Sequence, residues 1–319
     1  MANIVVTDGR TLNPGDLSWQ KLQALGDCRV YDYTPPEELA ARAAEAHILI
    51  VNKTPVTAEA LAQLPHLKCI VASATGYNNI DLKAAKERGV PVCNAVGYST
   101  PAVAQHVFAL LLALTNRVAA HHLSVKEGQW SRGQDFSYTL QPIPELSGRT
   151  LGIYGFGRIG QQVAQIGLAF GMKILAAHKH PERDARQGVA FTSLSRLFAQ
   201  SDVITLHAPL SKENELIINR ELLRAMKPDA FLINTGRGGL VHEADLAMAL
   251  NEGWLAGAAL DVLSAEPPPE GHPLLHAPNC LITPHMAWST QAARQRLMDI
   301  TIANVQSYLE GQPQHVVNP

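Results

Sequence analysis

Three side chains of this 319-residue chain could together move a proton beside an anion: Arg237, Glu266 and His285. Each lies past a β-rich run, Arg237 after FLIN, Glu266 after GAALDV and His285 after CLIT. A guanidinium is a planar fork of donors matched to a carboxylate, and it keeps its charge at working pH. An imidazole gives and takes a proton near neutrality, and a carboxylate beside it fixes its orientation. In open parallel sheets ligands bind outside the carboxyl ends of the strands, so groups at three strand ends can converge.

A second motif says what else binds there. Gly155-Phe156-Gly157-Arg158-Ile159-Gly160 follows the apolar run LGIY and opens a helical stretch. In that context GxGxxG is a dinucleotide fingerprint. Gly155 permits the tight turn, Gly157 lets the backbone approach a pyrophosphate, and Gly160 lets helix pack close to strand. Arg158 and Ile159 stand at the helix N-terminus, where amides and the helix dipole favour phosphate. The pattern calls for an acidic residue about 20 residues on, at the end of the second strand, to hold the ribose hydroxyls. That strand, KILAA, ends instead in His178-Lys179-His180, with Arg183 near. Cations without the carboxylate suit a 2′-phosphate, so NADP is expected over NAD.

The elements that must position these groups alternate along the chain. Asn3–Val6, Ile48–Val51 and Cys69–Ala72 read as buried strands, with Arg29–Tyr31 and Val90–Cys93 weaker. Helical stretches at Trp19–Leu25, Pro36–Ala46, Ala58–Leu64 and Leu82–Arg88 fall between them. One long helical pattern runs from Pro101 to about Lys126, opened by Ser99-Thr100-Pro101, a hydroxyl cap followed by Pro at the first helical position. After a loop at Gly128–Gly148, a second alternation supplies strands at Thr150–Tyr154, Lys173–Ala176, Asp202–Leu206, Ala230–Asn234, Gly257–Asp261 and Cys280–Thr283. A helix over Thr290–Glu310 closes the chain. Strand–helix alternation calls for parallel sheets covered on both faces, here two α/β units.

Composition narrows the class. With 26 Lys and Arg against 28 Asp and Glu, the net charge of −2 includes no basic block for nucleic acid. Apolar residues make up 46%, enough for a large core, while the longest apolar run, Val107–Leu114, falls far short of a membrane span. The N-terminus lacks the pattern of a signal peptide. Four dispersed cysteines form no CxxC pair, and no metal-ligand cluster stands out. A soluble cytoplasmic protein is expected. Most of the 13 histidines, His121-His122 among them, read as solvent-facing.

The segments TDGRTLNPGDLSW, ATGYNNID, GFGRIG, NTGRGG, LDVLSAEP and PHMAW together cover the chain from end to end. In these the sequence resembles the D-isomer-specific 2-hydroxyacid dehydrogenase family, close to its glycerate dehydrogenase (hydroxypyruvate reductase) branch. The resemblance implies two doubly wound parallel-sheet domains: a flavodoxin-like substrate domain from residues 1–98 plus 289–319, and an inserted Rossmann domain from 99–288. It implies a homodimer built through the long helix after Pro101, acting on a small 2-oxoacid such as hydroxypyruvate or glyoxylate. By resemblance Arg237, Glu266 and His285 are catalytic. Amides at Ala74, Thr75 and Gly76 then hold a carboxylate oxygen, with Trp288 beside His285 limiting substrate size. Further cofactor contacts fall at Thr100, His207, Pro209, Thr235, Asp261 and His285, Asp261 taking the nicotinamide carboxamide. Gln105 stands where many members have Glu. A dinucleotide-sensing corepressor-like protein, or a formate- or phosphite-type dehydrogenase, would use the same scaffold. Oxidation of the reduced cofactor on adding hydroxypyruvate distinguishes an enzyme from a sensor.

Overall fold

A computed structural model describes residues 1–319, which divide into two compact units: Met1–Ser99 with Ser289–Pro319, and Thr100–Trp288. In the first, β1 (Ala2–Val6), β2 (Gly26–Val30), β3 (Ile48–Val51), β4 (Cys69–Ala72) and β5 (Val92–Cys93) form one parallel sheet in the order β2-β1-β3-β4-β5. This is the flavodoxin-like order. The central strands β3 and β4 are buried at every position, as their unbroken apolar runs require. Edge strand β2, GDCRV, alternates toward solvent and begins three residues before the Arg29–Tyr31 expected from sequence. Short helices α1 (Gly9–Leu12), α2 (Gln20–Gln23), α3 (Leu39–Arg42), α4 (Ala58–Ala62) and α5 (Leu82–Glu87) cover the sheet. The C-terminal helix, Gln291–Leu309, returns to this unit and is tied there by Arg294, whose fork meets the Asp16 carboxylate at 2.6 and 2.7 Å.

The second unit opens with α6 (Thr100–Asn116), α7 (Val118–Lys126) and α8 (Gln129–Arg132). The single long helix expected here is broken. Arg117 adopts a left-handed conformation (φ 46°) and bends α7 away from α6 by 50°. No Gly or Pro announces that break. His121, expected to face solvent, instead staples the following loop: its Nδ1 donates to the Arg117 carbonyl and its Nε2 accepts the Leu140 amide, both at 3.1 Å. No single helix is long and apolar enough to cross a membrane.

Seven parallel strands follow: β6 (Thr150–Tyr154), β7 (Lys173–Ala177), β8 (Val189–Phe191), β9 (Val203–Leu206), β10 (Phe231–Asn234), β11 (Gly257–Leu260) and β12 (Cys280–Ile282). Their order, β12-β11-β10-β9-β6-β7-β8, is the Rossmann pattern with one strand added beyond β11. Helices α9 (Arg158–Ala169), α10 (Leu194–Gln200), α11 (Arg220–Ala225) and α12 (Glu243–Asn251) link them. Two apolar clusters flank the sheet, one around Phe198, Leu232 and Leu246, the other around Phe108, Leu151 and Phe156.

Candidate active site

The Gly-rich turn is shaped by close backbone packing. Gly155 has φ 93°, and a Cβ there would collide with the backbone of His207 and Ala208 after β9. A Cβ on Gly160 would strike the Gly155 carbonyl. Gly157 faces open space, which leaves its side of the α9 N-terminus accessible to a phosphate. Beside this turn both ring nitrogens of His207 are buried without a partner, and burial pushes its pKa down to about 3. The buried Thr235 hydroxyl after β10 also lacks a partner. Orphaned polar atoms around an open glycine are what a dinucleotide site offers before its ligand fills it, so these residues fit the cofactor. Thr100 starts α6, and Pro209 is exposed just beyond His207.

The basic cluster after β7 is less cationic than its sequence suggests. His178 Nδ1 accepts the Phe156 amide at 3.1 Å, so its proton sits on Nε2, which donates to Asp184 at 2.7 Å. That imidazole is a brace under the glycine turn. Arg183 also grips Asp184, with Nη2 at 2.6 Å, and this contact, with His178 assisting, holds the Asp184 carboxyl down at about 2. Lys179 remains as the exposed cation. Asp184, one of the nearest carboxylates after the strand in sequence, folds back onto the strand end.

On the other half of the sheet, His285 and Glu266 meet. His285 Nδ1 lies 2.7 Å from Glu266 Oε2, so the Nδ1–H donates to the carboxylate and Nε2 is left for another partner. Glu266 Oε1 accepts the Leu263 amide at 3.2 Å, which fixes the carboxylate plane. Arg237, half-buried after β10, donates to the Gly236 carbonyl at 2.8 Å and forms no salt bridge. Its loop is held by Asn234, which accepts the Gly236 amide and donates to the Arg237 carbonyl. Trp288 is half-buried three residues past His285.

His285 sits in the left-handed region at φ 50°, where a non-glycine residue costs of order 1–3 kcal/mol. Asp261 offsets that cost. Its backbone carbonyl accepts the His285 amide at 2.8 Å, and its carboxylate accepts the Thr283 hydroxyl at 2.6 Å and the amides of Met286 and Ala287 at 2.9 and 2.8 Å. His106 Nε2, on α6, donates to the Thr283 hydroxyl at 3.1 Å, extending the chain of bonds. Burial alone would raise the Asp261 pKa, but the hydrogen bonds from His106, Thr283 and the two amides hold it below the usual carboxylate range. The side chain is fully enclosed, at 0% exposure. The carboxylate holds the turn that carries His285. His106 and Thr283 were missed from sequence, although a histidine flanked by buried Ala104 and Val107 on α6 was a readable anomaly.

In the first unit the turn after β4 has its acceptors engaged. The Ala74 carbonyl takes the Ala95 amide, the Thr75 carbonyl takes Asn94 Nδ2, and the Thr75 hydroxyl donates to the Ala95 carbonyl. The amides of Ala74, Thr75 and Gly76 remain as donors for a ligand. Asp8 braces the neighbouring turn by accepting the Asn52, Lys53 and Thr54 amides at 2.9, 3.0 and 3.1 Å.

Comparison with known proteins agrees with this geometry. Residues 108–287 match the family model for the D-isomer specific 2-hydroxyacid dehydrogenase NAD binding domain. The chain is 45% identical over 320 residues to a hydroxypyruvate reductase from Blautia hydrogenotrophica, covering 99% of each. It is 42% identical over 284 residues to a glycerate dehydrogenase from Methylorubrum extorquens, covering 88% of each. The crystal structure of an NADPH-dependent glyoxylate/hydroxypyruvate reductase from Sinorhizobium meliloti, in complex with citrate, superposes with a TM-score of 0.83 at 28% identity, covering 100% of this chain and 99% of that one.

Proposed function

Because the chain belongs to the D-isomer-specific 2-hydroxyacid dehydrogenase family, we propose that it reduces a small 2-oxoacid, hydroxypyruvate or glyoxylate, with a nicotinamide cofactor. The observation that carries the reading is the 2.7 Å bond from His285 Nδ1 to Glu266, which commits Nε2 to the substrate. The Gly155–Gly160 turn, His207 and Thr235 would hold the cofactor, whose reduced nicotinamide supplies the hydride to the keto carbon. Arg237 binds the carboxylate through its fork and polarises the keto oxygen. His285 gives its Nε2 proton to that oxygen and takes it back in the reverse direction. Glu266 keeps the Nδ1 proton in place throughout, and Asp261 positions the imidazole through the backbone. The free amides of Ala74, Thr75 and Gly76 are assigned to the substrate carboxylate, and Trp288 to limiting substrate size.

NADPH is proposed as the preferred cofactor. The support is that β7 is followed by His178 and not by an acidic residue, with Asp184 engaged by His178 and Arg183, together with the exposed Lys179 and the NADPH dependence of the Sinorhizobium reductase. A hydrogen bond to a charged group contributes about 1.5–3 kcal/mol, and exposure reduces an ion pair to about 0–1 kcal/mol, so Lys179 is worth from a few-fold to about tenfold. The deciding experiment is a panel of 2-oxoacids assayed with each cofactor in wild type and Lys179→Ala. The expected result is highest kcat/KM with hydroxypyruvate or glyoxylate and NADPH, and a loss in Lys179→Ala confined to NADPH. Faster reduction of phenylpyruvate than of both small acids refutes the substrate class, and a wild-type preference for NADH refutes the cofactor choice.

The active form is proposed to be a cytoplasmic homodimer. Residues Val118, Leu123, Trp130, Phe136, Leu140 and Ile143 expose apolar surface within one stretch, and a groove between α6 and α9 is lined by Phe108, Leu112 and Ile166. Exposed apolar side chains concentrated in one stretch are what a partner covers. Light scattering is expected to give twice the chain mass; the mass of one chain overturns the assignment.

A further inference from the structure

Glu243, in the first turn of α12, makes contacts that the catalytic groups do not explain. Its Oε1 accepts the Ser264 amide at 2.7 Å, its Oε2 accepts the Ser264 hydroxyl, and the same Oε2 accepts from His272 Nε2 at 3.0 Å. The orientation of His272 is fixed in turn, because its Nδ1 accepts the Leu274 amide at 3.4 Å and the ring proton must sit on Nε2. Glu243 and His272 side chains are only 12% and 9% exposed. Such a set is costly to leave half-made, since a buried donor or acceptor without a partner bears its full desolvation penalty.

What the clamp grips is the segment between the two ends of the chemistry. Ser264 is two residues before Glu266, and the Leu263 amide next to it donates to Glu266 Oε1 at 3.2 Å. On the other side, Gly238, the residue after Arg237, lies so close that a Cβ on it would sit on the Leu263 carbonyl and the Ser264 nitrogen. One stretch of backbone, Leu263–Ser264, therefore sets the place of both the Arg237 loop and the Glu266 carboxylate. We propose that Glu243, braced by His272, is a positioning residue that clamps Leu263–Ser264 and so aligns Glu266 on His285 and holds the Arg237 loop in register.

This inference rests on the dehydrogenase reading for its kinetic test but has a readout that does not. Glu243→Gln keeps the size of the side chain, and its Oε1 can still take the Ser264 amide. Its new NH2, however, faces the Nε2–H of His272, donor against donor. A small misplacement of catalytic groups from a distant change can cost about 10²-fold. Glu243→Gln is expected to lower kcat with hydroxypyruvate roughly tenfold or more and to raise the 2-oxoacid KM, with cofactor affinity unchanged. Because Glu243 acts through Glu266, the Glu243→Gln/Glu266→Gln double variant should be little worse in kcat than Glu266→Gln alone. Nitrogen NMR of the His285 imidazole, which needs no turnover, should show one Nδ1–H tautomer in wild type and a mixture in Glu243→Gln. Wild-type kinetics in the folded Glu243→Gln enzyme, losses that multiply in the double variant, or an unchanged His285 tautomer would each overturn the clamp. A wild type that reduces no 2-oxoacid overturns the functional reading instead, and the tautomer still decides the clamp.

Discussion

Replacing His285 by Ala is expected to lower kcat by about 10²–10⁴, the range that positioned proton transfer contributes, while leaving cofactor binding nearly intact. Binding survives because the Gly155–Gly160 turn owes its shape to β6, β9 and α9, none of which His285 touches. The backbone complicates Ala: His, like Asn, is enriched at positive φ relative to other side chains, so Ala at φ 50° adds some local strain. Asn tolerates the left-handed region better and cannot act as an acid or base in this range. His285→Asn should therefore lose as much turnover as His285→Ala while melting closer to wild type. Steady-state assays of both variants, with cofactor fluorescence titrations, check this. Near-normal turnover in the Asn variant would remove His285 from the proton path.

Arg237→Ala should fail differently, damaging substrate affinity and turnover together. Two charge-assisted hydrogen bonds at about 1.5–3 kcal/mol each correspond to roughly 10²–10⁴ in kcat/KM. Part of that is ground-state binding of the carboxylate and raises KM; the part spent on the developing alkoxide lowers kcat. Arg237→Lys restores a charge but not the fork, so recovery should be partial. A 2-oxoacid KM in Arg237→Ala close to the wild-type value would mean that the carboxylate is held elsewhere.

The parts of this site that were legible in sequence are those whose causes are local. Gly155, Gly157 and Gly160 are required by a turn six residues long, and the apolar runs of β3, β4, β9 and β10 announce strands buried on both faces. Arg237, Glu266 and His285 stood out as candidates because each follows a β-rich run. The supports were not legible, because they pair residues far apart in the chain. Glu243 reaches Ser264 across 21 positions and His272 across 29, and Asp261 reaches the amides of Met286 and Ala287 across 25 and 26. The kink at Arg117 was hidden for the opposite reason: an ordinary residue takes a left-handed conformation with no glycine to mark it. Strand β8 was missed because its apolar run, Val189–Phe191, is only three residues long and lies partly exposed at the sheet edge. The role of Asp261 in holding the His285 turn was equally hidden, because a motif gives a residue type and not its neighbours.

Strand order in the second unit separates two jobs that a designer would want to alter independently. Lys179 follows β7 and His285 follows β12, and five strand-to-strand steps lie between those strands. At about 4.8 Å per step the two ends stand some 24 Å apart, well beyond the roughly 10 Å within which substitutions couple. The half of the sheet proposed to choose the adenosine end of the cofactor can thus drift, or be rewritten, without retuning the proposed proton donor on the far edge. A lineage carrying this chain could exchange one reducing currency for another by changes confined to the β7–β8 side, keeping its substrate chemistry intact.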